Sequence, residues 1–168
     1  MPSVRQIARR IRSVENTAKI TKAMSMIAAS KLRRTQDAAT QGRAYSEKMS
    51  EIVTSVSSSF GDDENHHPLS QQRDVVNVGL VFITPDRGLT GGLNSNLIRK
   101  ASDFVNERTA EVKLISFGKK GSDFGRRSGL EIIEGYTGVT DRPTLSDTKP
   151  VSQSAIASFE NERVDEVY

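Results

Sequence analysis

The chain has 168 residues, 35% of them hydrophobic, with no Trp, no Cys and a net charge of +3. That length holds one ordinary domain, and the apolar content is low for a chain packed into a single globule. The lack of Cys excludes disulfides, thiolate metal sites and cysteine nucleophiles. The longest apolar run, Leu80-Val81-Phe82-Ile83, falls far short of the ~20 residues a membrane span needs. No charged stretch followed by an apolar one marks a secretory signal.

The charge is uneven. Residues 1–43 hold ten Lys/Arg against Glu15 and Asp37, a net +8 that leaves −5 for residues 44–168. Such a split points to a basic arm seeking an acidic partner.

Residues 3–59 contain Gly42 as their only glycine and no proline. Val4, Ile7, Ile11, Val14 and Ala18 recur at alternating steps of three and four. A second stripe starts at Ile20, Met24, Ile27 and Leu32, and a third group follows at Tyr45, Met49, Ile52, Val53, Val56 and Phe60. This is helix periodicity, with Ser3 as N-cap of an incomplete capping box in which Gln6 must serve as third partner. A continuous helix here is roughly 85 Å long at ~1.5 Å per residue. A narrow apolar seam on so long a helix predicts a coiled coil, and the change of phase at Ala18–Ile20 predicts irregular supercoiling there.

Residues 60–74 read as a polar linker. His66 and His67 point apart, and no third ligand lies at metal spacing. Asp62-Asp63-Glu64 reads as solvated loop.

From Val75 the texture alternates. Strands are expected at Val75–Thr84, Val112–Phe117 and Leu130–Glu134, with a fourth starting at Val164–Tyr168. Helices are expected at 94–108, with Leu97, Ile98, Ala101, Phe104 and Val105 on one face, at 119–127 and at 152–161. Repeated strand–helix–strand units predict a Rossmann-like parallel α/β domain over 75–168. The chain stops inside its last strand, so the domain is expected to be cut short.

The turn Pro85-Asp86-Arg87-Gly88-Leu89-Thr90-Gly91-Gly92-Leu93-Asn94 follows the first strand and opens a helix, where α/β folds bind phosphates. Its glycines match neither the dinucleotide fingerprint nor the Walker A loop. Two other readings remain. One is a tight turn needing positive φ, with Asn94 or Ser95 as helix cap. The other is a rigid loop presenting Arg87 to carboxylates. No Ser/His pair or carboxylate dyad marks a catalytic site. The Met24–Ser30 stretch, rich in Met and Ala, reads as helix packing or as a surface tolerant of changing neighbours.

The stretch Ser13-Val14-Glu15-Asn16-Thr17-Ala18-Lys19-Ile20-Thr21-Lys22-Ala23-Met24, continuing through Ala28-Ala29-Ser30-Lys31-Leu32-Arg33-Arg34, resembles the N-terminal helix of the F-type ATP synthase γ subunit family. Asp86–Asn94, Phe117-Gly118-Lys119-Lys120-Gly121 and Val164–Tyr168 also resemble that family, in order and over nearly the whole chain. The resemblance implies a central rotor shaft whose helix pairs with a C-terminal helix inside a ring of α and β subunits. The α/β domain would lie beside the ε subunit, on the c-subunit ring. Rotation would pass from the c ring to the catalytic subunits, and this chain would have no catalytic residue, cofactor, nucleic acid or small-molecule substrate of its own. It would sit peripherally on the cytoplasmic face of the cell membrane, or on an organellar inner membrane.

The same resemblance implies that Lys19, Lys22, Met24, Lys31, Arg33 and Arg34 face the αβ ring. It also implies that Arg87, with Gly88, Leu89 and Thr90 shaping its backbone, meets an acidic segment of β at the ring's lower rim. Thr90 stands where many family members have Cys, and members continue well past this length. The alternatives are a nucleotide-binding α/β enzyme fragment, which ATP-agarose would retain, and a basic-helix nucleic-acid binder, which would shift DNA in a salt-dependent way.

Overall fold

The structure is a computed structural model and describes residues 3–59, 67–138 and 143–168. The chain divides into two compact units, Met1–Asp63 and Glu64–Tyr168.

The first unit is one helix of 56 residues, α1 (Val4–Ser59). Its start is a complete reciprocal cap at Ser3, where the sequence suggests an incomplete one. The Gln6 amide donates to Ser3 Oγ at 3.3 Å, and the Ser3 amide donates to Gln6 Oε1 at 3.0 Å. Two of the donors that a helix leaves unpaired at its first turn are thereby satisfied. Thr17, Thr21, Thr35, Thr40 and Thr54 each donate a hydroxyl to the carbonyl four residues back, at 2.8–3.0 Å. Those hydroxyls are paired on their own helix.

Every α1 residue through Val56 is exposed, the apolar ones included. Because α1 is unbroken at Ala18–Ile20, the two-residue step there turns the apolar stripe by about 200°. Ile20, Met24 and Ile27 thus lie nearly opposite the first stripe, whereas Leu32, eighteen residues after Val14, returns to its side.

The second unit is a four-stranded, all-parallel sheet of order β3-β2-β1-β4. Its strands are β1 (Asn77–Ile83), β2 (Glu111–Phe117), β3 (Glu131–Tyr136) and β4 (Glu166–Val167), and its helices are α2 (Leu93–Asn106), α3 (Lys119–Arg127) and α4 (Leu145–Glu160). Alternation along β2 divides the core between the two faces. Leu114 packs with Phe82, Ala101 and Phe124, joining the sheet to α2 and α3. Ile115 and Phe117 pack with Val151 of α4. Phe82 and Phe124 meet edge to face, with centroids 5.6 Å apart.

Several element boundaries differ from expectation: β2 begins at Glu111, β3 runs Glu131–Tyr136, and β4 covers Glu166–Val167. β1 begins at Asn77, since Val75 and Val76 are exposed. α2 begins at Leu93 behind Gly92, so neither Asn94 nor Ser95 is its cap. α4 begins seven residues earlier than expected, at Leu145. A capping box between Thr144 and Asp147 organises its first turn, and Pro150 lies inside the helix. Pro150 costs one amide donor, while its carbonyl accepts from the Tyr136 hydroxyl at 3.1 Å.

Of the segment expected as linker, residues 60–66 lie outside the described residues, and the Asp62-Asp63-Glu64 reading and His66 with them. His67 caps a 3-10 turn, Pro68–Ser70, its Nδ1 accepting from the Leu69 amide at 3.2 Å. Arg73 stacks on the Phe159 ring at 4.3 Å and donates to the Phe159 carbonyl at 3.0 Å. Residues around Arg73 are thus held against α4.

Candidate partner-binding surfaces

On α1, Lys19, Lys22, Met24, Lys31, Arg33 and Arg34 are all exposed. Helical geometry does not gather them on one face. Lys19, Lys22 and Arg33 fall on one side, while Met24 and Lys31, seven apart, fall on another with Arg34 near them. The basic residues therefore wrap the helix rather than form a single stripe. A shallow depression of Val14, Thr17, Ala18, Thr21, Lys22, Ser25 and Met26 lies between these sides. Its hydroxyls at Thr17 and Thr21 already bond backbone, leaving a smooth apolar floor.

In the second unit, the loop after β1 is built between two fixed bases. On the β1 side, Thr84 is buried and accepts the Gly121 amide at Oγ1, at 2.8 Å. Asp86 follows. Its Oδ1 accepts the Lys119 amide at 2.7 Å, and its Oδ2 accepts the Gly138 amide, also at 2.7 Å. A carboxylate at the first residue of α3 meets the positive end of the helix dipole. An anion seeking that helix terminus would have to displace Asp86. On the α2 side, Asn94 Nδ2 donates to the Arg87 carbonyl at 3.3 Å, and the Leu93 amide donates to the Thr90 carbonyl at 3.4 Å.

Between these bases, Arg87, Gly88 and Leu89 are exposed. The positive φ falls at Gly91 (60°), as the turn reading requires, but also at Leu89 (58°), with Gly88 in the ordinary region. A branched aliphatic residue in the left-handed region is costly. Here it turns a fully exposed Leu89 side chain to the outside of the loop. Thr90 Oγ1 and Asn94 Oδ1 are buried and lack a hydrogen-bond partner among the described residues.

Sequence reading names Arg87 to Thr90 but misses Asp86 and Gly118. Gly118 has φ 115°, and a Cβ on it would lie 1.8 Å from the Thr84 carbonyl oxygen. The signal in the sequence was the Phe117-Gly118-Lys119 junction itself, a glycine between a strand and a helix. Among the described residues there is no cluster of three metal-ligating side chains, and no helix is long and apolar enough to cross a membrane.

These features define a protein with one long helix whose apolar positions are uncovered, followed by a parallel α/β unit with a braced, outward-facing loop. The chain belongs to the ATP synthase family, whose model matches residues 3–168. It is 42% identical over 168 residues to the ATP synthase gamma chain of Desulfitobacterium hafniense, covering 100% of this chain and 59% of that one. It is 39% identical to the gamma chain of Brevibacillus brevis, over 98% of this chain and 58% of that one. The gamma chain of Dehalococcoides mccartyi is 40% identical, over 100% and 59% respectively. The chain thus spans about 59% of the length of the curated relatives it matches.

Proposed function

We propose that this chain is the N-terminal part of a central-stalk subunit that carries rotation from a membrane-embedded c ring to a catalytic αβ ring, and performs no chemistry itself. The observation that carries this reading is α1. It is a helix of 56 residues with Ile7, Ile11, Met24, Ile27, Ile52 and Val53 all exposed. Helices gain most of their stability from packing, so a seam of this length calls for partner helices. The proposed partners are a C-terminal helix of the same subunit and the surrounding α and β subunits, with ε and the c ring beside the α/β unit. The complex would place the chain peripherally on the cytoplasmic membrane face, or on the equivalent face of an organellar membrane.

Two contacts to the αβ ring are proposed. The first is the wrapped set Lys19, Lys22, Met24, Lys31, Arg33 and Arg34. Each exposed charge pair there is worth only ~0–1 kcal/mol, so these charges tune rotation more than assembly. Wrapping suits a helix that must meet three β subunits in turn. The second is the loop of Arg87, Gly88, Leu89 and Thr90 against the acidic segment of β. Leu89 supplies an apolar tip beside the Arg87 charge.

The test is a cysteine at Thr90 in the full-length subunit, paired with a cysteine in the acidic segment of β in the assembled complex. Oxidation is expected to join them. Failure at several positions along that segment, with assembly verified, contradicts the loop contact.

A further inference from the structure

We infer that Asp86 is the positioning residue of the Arg87–Thr90 loop: its carboxylate ties the loop to the first turn of α3 and to the chain leaving β3, so that the loop is presented as one rigid piece with the sheet. The value of that rigidity to function rests on the proposed contact between this loop and β; the positioning itself does not.

The argument starts from the two acceptor oxygens. Each takes a backbone amide at 2.7 Å, and the two amides, Lys119 and Gly138, lie 33 and 52 residues away in sequence. Hydrogen bonds to a charged acceptor are shorter and stronger than neutral ones. A single side chain therefore gathers the carboxyl ends of β1, β2 and β3, at the residue directly before the projecting loop. The neighbouring contacts point the same way. Thr84 Oγ1 holds the Gly121 amide, the Thr84 amide donates to the Phe117 carbonyl at 2.8 Å, and the Gly118 amide donates to the Tyr136 carbonyl at 2.7 Å.

These neighbouring bonds fix the platform, and Asp86 is the one side chain among them that joins the loop to two other segments at once. At the far end the Leu93 amide donates to the Thr90 carbonyl, and Asn94 reaches back to the Arg87 carbonyl. Four residues strung between two such bases have little freedom, and this is how Leu89 is kept in the left-handed region. Strain of that kind persists only where the surroundings over-determine it. A loop that takes a lateral load from a partner must pass it to the sheet without yielding, and the Asp86 bridge is the route.

Asp86→Asn is the informative change. It keeps the shape but turns one acceptor oxygen into an NH2 group facing an amide N–H. In the full-length subunit, a nitroxide on a cysteine at Leu89 reports loop order, and one at exposed Ser128, the far end of α3, reports general loosening. Asp86→Asn is expected to speed hydrogen exchange of the Lys119 or Gly138 amide by about tenfold or more. It should also mobilise the Leu89 label while the Ser128 label stays unchanged. Asp86→Glu, which keeps both acceptors and the charge, is expected to restore much of the Leu89 order. If Asp86→Asn leaves the Leu89 label immobile, Asp86 merely caps α3 and the inference is overturned. Equal mobilisation of both labels overturns it too, because the residue is then a general stabiliser. The two readings separate cleanly: no Thr90–β cross-link with Asp86 intact removes the β contact, whereas the nitroxide result alone decides the positioning role.

Discussion

Gly118 lies so close to Thr84 that a methyl group on its α-carbon would sit 1.8 Å from the Thr84 carbonyl oxygen. Gly118 also holds φ 115°, ψ 144° as the N-cap of α3, a combination nearly confined to glycine. Gly118→Ala is therefore expected to destabilise the second unit by at least about 3 kcal/mol. Urea unfolding of the full-length subunit followed by circular dichroism measures this. A loss under 1 kcal/mol would mean that α3 and β1 part more easily than their packing implies.

Gly125 tests the middle of the same helix. A Cβ there would lie 2.5 Å from Leu114 Cδ2, with Leu114 fully buried beneath α3. Overpacking of this kind costs about 1–3 kcal/mol, outweighing the ~1 kcal/mol that Ala gains over Gly in a helix. Gly125→Ala should destabilise alone, and Leu114→Val should relieve part of that loss. A double-mutant cycle is expected to give a favourable coupling of about 1 kcal/mol or more. Simple additivity would show that the two sites do not share the space.

Acid should weaken the second unit through Asp165. Hydrogen bonds from the Asn77 and Val76 amides, at 2.8 and 3.0 Å, hold its carboxyl below the usual carboxylate range. Asp147 is lowered likewise by the Thr144 amide and hydroxyl. A depressed folded-state value means that the unfolded chain binds the proton first. The contribution is complete above the unfolded value near ~3.9 and disappears as pH falls through the folded values below it. Stability measured from pH 6 downward should fall steeply only at the acid end, and Asp165→Asn should flatten that limb. An unchanged acid limb in the variant would assign the effect elsewhere.

The uncovered seam of α1 predicts self-association. A polypeptide of residues 1–59 should gain helicity with concentration and run as oligomers at high concentration, because one copy's apolar stripe covers another's. Replacing Ile20, Met24 and Ile27 with Gln should weaken the concentration dependence, since all three are exposed apolar positions of the second stripe. Sedimentation equilibrium reads both. A helical monomer at every concentration would remove the seam as a partner surface.

Local pattern was enough for much of this architecture. The 3-4 spacing of α1 and the cap at Ser3 and Gln6 follow from neighbours along the chain, as do the buried face of α2 and the limits of α3. The start of α4 is set by the Thr144–Asp147 box, seven residues upstream of the expected helix and ahead of Pro150, which the helix contains. The cap of α2 was misplaced because Asn94 turns back to the Arg87 carbonyl instead of closing the helix end. The bridging role of Asp86 is not legible in the sequence for a different reason. Its partners lie 33 and 52 residues away, and no periodicity encodes a bond across three strand ends. The left-handed conformation of Leu89 was equally hard to place, since Gly88 just before it was the better local candidate.

In the proposed function, this chain turns past the β subunits as the complex works. The direct measurement is ATP-driven ion pumping by the assembled complex, with a cysteine at Thr90 of the full-length subunit and one in the acidic segment of β. Oxidation should stop both pumping and ATP hydrolysis in proportion to cross-linked subunit, and reductant should restore both. Full pumping with the cross-link complete would contradict the account, because a shaft fixed to one β subunit cannot rotate.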